Sequence, residues 1–187
     1  MQKRNLQRRL PWEMPRLQTV IINLILFIFL AASSYTDIKY RKVYNFITFP
    51  TVILGLGFNF YTSGLPGLKD SLAGFAAGFL FLFIFYLLGG MGAGDVKFMA
   101  AIGTLKGSEF VVMGGFYGAI FGGIAAIIVL FSKKNLLPTL KKIFFALLSL
   151  ITFRTPESLK FDETKSGYLP YTVFLSLGML LHWLIIR

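Results

Sequence analysis

Asp37 and Asp95 are two of only eight acidic residues in a chain of 187, and each stands where a long apolar run meets a polar turn. Asp37 follows the charge-free run 17–36 and opens the stretch Asp37-Ile38-Lys39-Tyr40-Arg41-Lys42-Val43-Tyr44-Asn45. Asp95 follows the charge-free run 71–94 within Gly89-Gly90-Met91-Gly92-Ala93-Gly94-Asp95-Val96-Lys97. An ionisable side chain at the end of a lipid-embedded helix is costly and marks a functional site. Two carboxylates a few ångströms apart cannot both ionise cheaply, so they share a proton and titrate as a unit. The ionised member can take a proton from water while its protonated partner hydrogen-bonds a carbonyl. The glycines around Asp95 allow backbone conformations barred to other residues and close approach of a substrate strand. Lys97 is placed either to bias the pair towards ionisation or to contact a lipid phosphate.

Other hydrolytic schemes lack parts. Cysteine is absent, which removes a thiol nucleophile, a disulfide framework and any Cys-ligated metal site. The single histidine, His182, cannot form a His-based metal cluster, and no HExxH occurs. A serine–histidine enzyme would have to use His182, which the order of apolar runs places on the face opposite the glycine loop. No metal or other cofactor is expected.

The elements that must position the pair are membrane helices. With 56% hydrophobic and 14% charged residues and a mean hydropathy of +0.70, the chain departs from a soluble domain, in which about 25% of residues are charged. The expected fold is all-α, a polytopic membrane helix bundle of about six transmembrane helices plus an interfacial helix. Residues 1–16 read as a basic arm broken by Pro11 and Pro15, and 17–187 as the transmembrane domain. The first run also resembles a secretory signal ending in Ala31-Ala32-Ser33-Ser34, but Asn23, the direct passage into Asp37 and the spans that follow favour a retained helix.

The second span is expected over 45–61, with a loop at Ser63, Gly64, Pro66 and Gly67, and the third over the run 71–94, where Gly74, Ala76, Ala77 and Gly78 offer close-packing surfaces. The segment from Asp95 to Ser108 would rise only about 21 Å, a short fourth span. Gly114, Gly118 and Gly122 lie on one face of the fifth, over 110–132, which this pattern places at the centre of the bundle. Residues 133–167 form a basic loop with an interfacial helix over 143–153, and 166–186 the last span. His182, beside Trp183 near its far end, reads as an interfacial anchor.

Six spans put Asp37 and Asp95 on one membrane face. That face holds 11 of the 19 lysines and arginines, and the opposite face eight, five of them in the arm. The loop majority orients the aspartates towards the cytoplasm, and the arm opposes it. The net charge of +11 lies between apolar runs without the aromatic interleaving of an RNA-binding surface, so the lipid bilayer, and no nucleic acid, is the expected partner. These residues leave two readings open: a catalytic pair, or carboxylates that cap helices, bind an ion or serve transport.

Gly92-Ala93-Gly94-Asp95-Val96-Lys97 resembles the GxGDxK signature of the type IV prepilin peptidases, membrane aspartic peptidases of the GxGD class. Asp37 with Asn45 is similar to that family's first aspartate motif, although Tyr44 stands where the family has proline, and residues 169–178 are similar to its proline-containing last helix. The resemblance implies that Asp37 and Asp95 are a catalytic dyad at the cytoplasmic face, with Gly92, Gly94, Lys97 and Asn45 supporting it. It implies a prepilin or pilin-like precursor as substrate, whose short basic leader is removed just before an apolar helix. The early first aspartate and the absence of cysteine are similar to the short, peptidase-only form, without methyltransferase activity. The alternative is a non-enzymatic membrane protein, a small transporter or a pilus or secretion assembly partner, which would need a polar path through its spans.

Overall fold

Among the residues described by the computed structural model, 16–87, 91–132 and 170–186, the apolar runs fold as helix and there is no strand. The elements are α1 (Arg16–Tyr40), α2 (Asn45–Leu87), α3 (Ala93–Lys106), α4 (Ser108–Ser132) and α5 (Tyr171–Ile185). The basic arm up to residue 15, the basic loop with its interfacial helix, and Gly89 and Gly90 lie outside the described residues.

α1 continues a turn beyond the charge-free run, so Asp37 sits in helix rather than in the polar turn expected for it. The helix ends where Arg41 adopts a φ of 55°, its N–H still donating to the Asp37 carbonyl at 2.9 Å. α2 is continuous where a loop was expected around residues 62–70, except for a single break at Gly64, with φ 64° and ψ −144°. That left-handed conformation favours glycine. The chain reverses there: Asn59 Nδ2 donates to Ser71 Oγ at 2.7 Å, 12 residues on, whereas a straight helix would separate the two by about 18 Å. Pro66 falls in the first turn of the second arm, where its missing N–H breaks no helical bond. The arms, 45–63 and 65–87, therefore form a hairpin.

α3 occupies the middle of the bundle. Ten of its 14 residues are buried, from Asp95 and Val96 to Leu105, while Lys97 is exposed. A helix apolar and covered on nearly all sides belongs to a protein core rather than to a lipid-facing layer. The expected centre was the glycine-striped fifth span; the close packing anticipated there is real, but it joins α4 to α5, where Gly178 lies against the backbone of Gly114 and Gly118. α3 is gripped by glycines from both arms of the hairpin. A Cβ on Gly74 would run into the Gly103 carbonyl, one on Gly103 into the Gly74 carbonyl, and one on Gly78 into the Met99 carbonyl; on the other arm Gly55 abuts Thr104. At the turn end of the hairpin, Asn59 Nδ2 and Ser71 Oγ both donate to the Thr104 carbonyl at 2.8 Å, joining three segments in one satisfied polar network.

Three helices are long and apolar enough to cross a membrane: α1 over Gln18–Tyr40, α2, and α4 over Ser108–Val129. α3 and α5, at 14 and 15 residues, rise about 21 and 22 Å against a hydrocarbon core of about 30 Å. The described residues thus give an all-helical membrane protein with three helices of spanning length, one of them the α2 hairpin; the six crossings expected are not confirmed by them.

Gly103→Val should lower the thermal stability of the detergent-purified protein by about 1–3 kcal/mol, because the new side chain meets backbone that cannot yield. Gly57→Ala, whose Cβ meets open space, should leave stability unchanged or slightly raised in the same melting measurement.

Candidate active site

Asp95 lies at the third position of α3, behind the N-cap residue Gly92. One carboxylate oxygen serves the helix: Oδ2 accepts from the Gly92 N–H at 3.3 Å, while the Asp95 N–H donates to the Gly92 carbonyl at 3.1 Å. This satisfies part of the capping reading, yet Oδ1 points elsewhere. It accepts the Thr172 hydroxyl proton at 2.8 Å, from α5.

The same threonine holds Asp37. Its backbone N–H donates to Asp37 Oδ2 at 3.2 Å. Thr172 is the second residue of α5, and the first N–H groups of a helix have no partner within it, so a carboxylate from α1 fills a vacancy that α5 creates by starting there. Both aspartates thereby face helix starts, where the backbone presents partial positive charge. Both are buried, Asp37 at 4% and Asp95 at 8% exposure, and they are close enough for their charges to interact. The two carboxylates that the sequence singles out are thus brought to one residue from helices 58 positions apart in the chain.

Hydroxyl groups continue the junction one turn below. Ser34 Oγ, on α1, donates to Ser176 Oγ at 2.9 Å, and Ser176 Oγ donates to the Thr172 carbonyl at 2.8 Å. Thr172 and Ser176 were within the stretch likened to the family's last helix, but no role was read for them. The available signal was a pair of hydroxyls four residues apart, directly after a helix-starting proline, in an otherwise apolar helix.

The remaining expected site residues lie nearby in differing roles. Lys97 Nζ donates to Asn45 Oδ1 at 3.0 Å, an exposed bond that ties the start of α2 to the first turn of α3. Gly94 faces Val43, which a Cβ there would approach to 3.2 Å, so it lets α3 begin close against the segment that follows Asp37. Gly92 has φ −79°, open to any residue, and its ideal Cβ would meet only ordinary contacts. Of these two glycines, Gly94 is the one at a close approach between segments of this chain.

His182 is at the opposite end of α5, ten residues or about 15 Å from Thr172. It is buried against the rings of Phe110 and Tyr117 rather than presented as an interfacial anchor, and its Nδ1 has no hydrogen-bond partner among the described residues. Trp183 beside it packs edge-on against Phe27. Among the described residues no group of three or more His, Cys, Asp or Glu is arranged to hold a metal ion.

A family model described as the type IV leader peptidase family matches residues 24–127. The match covers more than half of the chain and includes Asp37, Asn45, Gly92, Gly94, Asp95 and Lys97, but stops short of α5. No curated protein and no solved structure matches the chain. A buried pair of aspartates at the ends of membrane helices, within a matched segment that contains both, leads to one assignment: the chain belongs to the type IV leader peptidase family.

Proposed function

We propose that this protein is a membrane aspartic endopeptidase that removes the short basic leader from type IV prepilin or pilin-like precursors at the cytoplasmic face. The observation that carries this reading is the attachment of two buried carboxylates, from different helices, to the two donors of Thr172. A pair so placed shares one proton. The ionised member draws a proton from water, the hydroxide equivalent adds to the scissile carbonyl, and the protonated member hydrogen-bonds the carbonyl oxygen and then supplies a proton to the leaving amine. Burial favours this division of roles, because charging both carboxylates away from water would be costly.

The same reading takes the two arms of α2 as separate crossings and α3 and α5 as short ones within the bundle, giving six. Asn23 and Asn59, the polar residues that a transporter would need along a path, make helix-to-helix hydrogen bonds with Lys106 and with Ser71 and Thr104. That supports the peptidase over the transporter.

Asp37→Asn and Asp95→Asn should each lower precursor cleavage by about 10²–10⁴-fold at unchanged membrane abundance, measured as the mobility shift of a co-expressed pilin-like precursor. Cleavage retained in either variant would leave that aspartate as a helix cap alone. The native chain has no cysteine, so single introduced thiols report orientation. Lys42→Cys should be shielded from an impermeant maleimide in intact cells and labelled in inverted vesicles. Ser63→Cys, at the hairpin turn, should behave in the opposite way; the reverse pattern would place the aspartates outside.

A further inference from the structure

The geometry points to Thr172 as a positioning residue of the aspartate pair: its hydroxyl fixes the rotamer of Asp95 while its backbone N–H fixes Asp37, setting the spacing of the two carboxylates. The inference rests on the reading of Asp37 and Asp95 as the reacting pair. Three observations support it.

Thr172 is fully buried, and both of its donors are directed at carboxylates, one on each aspartate. Its own position is set independently of them. Ser176, one turn on, accepts from Ser34 of α1 and donates to the Thr172 carbonyl, which joins α5 to the helix carrying Asp37. Further along, Gly178 rests on the backbone of Gly114 and Gly118, leaving α5 no room to slide along α4. Finally, Asp95 Oδ2 is occupied by the Gly92 N–H, so the Thr172 hydroxyl is what orients the remaining oxygen, Oδ1.

A threonine in this place performs two separable tasks. The backbone N–H is present whatever the side chain, so the hold on Asp37 survives substitution. The hydroxyl is lost in Thr172→Val, which keeps the shape, and retained in Thr172→Ser, which loses only the methyl. The side chain acts through the carboxylates rather than on the substrate, so its loss should be read in kcat and not in KM.

The test measures kcat and KM for cleavage of a pilin-like precursor by the full-length purified protein in detergent, with wild type, Thr172→Val, Thr172→Ser, Asp37→Asn and Asp95→Asn compared. Thr172→Val should lose about 10- to 100-fold in kcat at unchanged KM, the fold-change of one lost hydrogen bond to a charged group, and Thr172→Ser should stay near wild type. If Thr172→Val does not accumulate, Thr172→Ala removes the same donor with a smaller side chain, and the same loss is expected. Wild-type kcat in either hydroxyl-free variant, an equal fall in Thr172→Ser, or a rise in KM at constant kcat would overturn the assignment. If the Asn variants are inactive while Thr172→Val is fully active, only the role of Thr172 fails; if the Asn variants also cut at the wild-type rate, the aspartate-pair reading fails and the role of Thr172 with it.

Discussion

Backbone-to-backbone contact between α3 and the second arm of α2 is the constraint on which the rest of this bundle depends. Lipid supplies no hydrophobic drive for one helix to seek another, so association rests on close packing and on hydrogen bonds. At Gly74 and Gly103 the two helices meet with no side chain between them. That approach lets a 14-residue helix, too short to face lipid at both ends, sit covered by its neighbours. The hairpin at Gly64 is what brings the two arms of α2 to α3, and the Asn59–Ser71–Thr104 network ties its turn end to α3.

Once α3 is held in this way, the position of Asp95 follows from its place in the first turn. A buried carboxylate needs donors, and the cheapest source inside a helical bundle is the start of a helix, whose first N–H groups are unpaired. The molecule uses two such starts. α3 supplies the Gly92 N–H to Asp95, and α5 supplies the Thr172 N–H to Asp37, with the Thr172 hydroxyl donating from the second helix start back to Asp95. Three helix ends therefore converge where the chemistry is proposed, and the same hydrogen bonds that make burial tolerable also orient the carboxylates.

The opposite end of the bundle keeps that convergence in register. Lys106, at the end of α3, donates to Asn23 of α1 and lies over the ring of Phe110. His182 and Trp183 of α5 pack against Phe110, Tyr117 and Phe27. α5 is thus fastened to α1 and α4 at a distance from Thr172, and its first turn is not left to swing. A short helix fixed along its length is a better platform for a two-donor residue than a loop would be.

What the sequence determined by itself was local or compositional. Charge-free runs near 20 residues dictate helices in lipid, because no other backbone arrangement satisfies its own hydrogen bonds there, and an aspartate at the end of such a run stands out against that background. The identity of Asp37 and Asp95 as the residues to examine, and the nearness of Asn45 and Lys97 to them, were legible for that reason. The hairpin at Gly64 was not, because Gly, Ser and Pro in an apolar stretch signal a turn without saying that only one residue departs from helix. Nor was the centrality of α3, since glycines that grip a backbone and glycines that merely recur along a face look alike in one dimension. Thr172 lies 135 residues from Asp37 and 77 from Asp95, and two hydroxyls four residues apart mark one face of a helix without saying what that face meets. Only the folded arrangement, by placing the unpaired start of one helix beside two carboxylates from others, decided that this threonine holds them together.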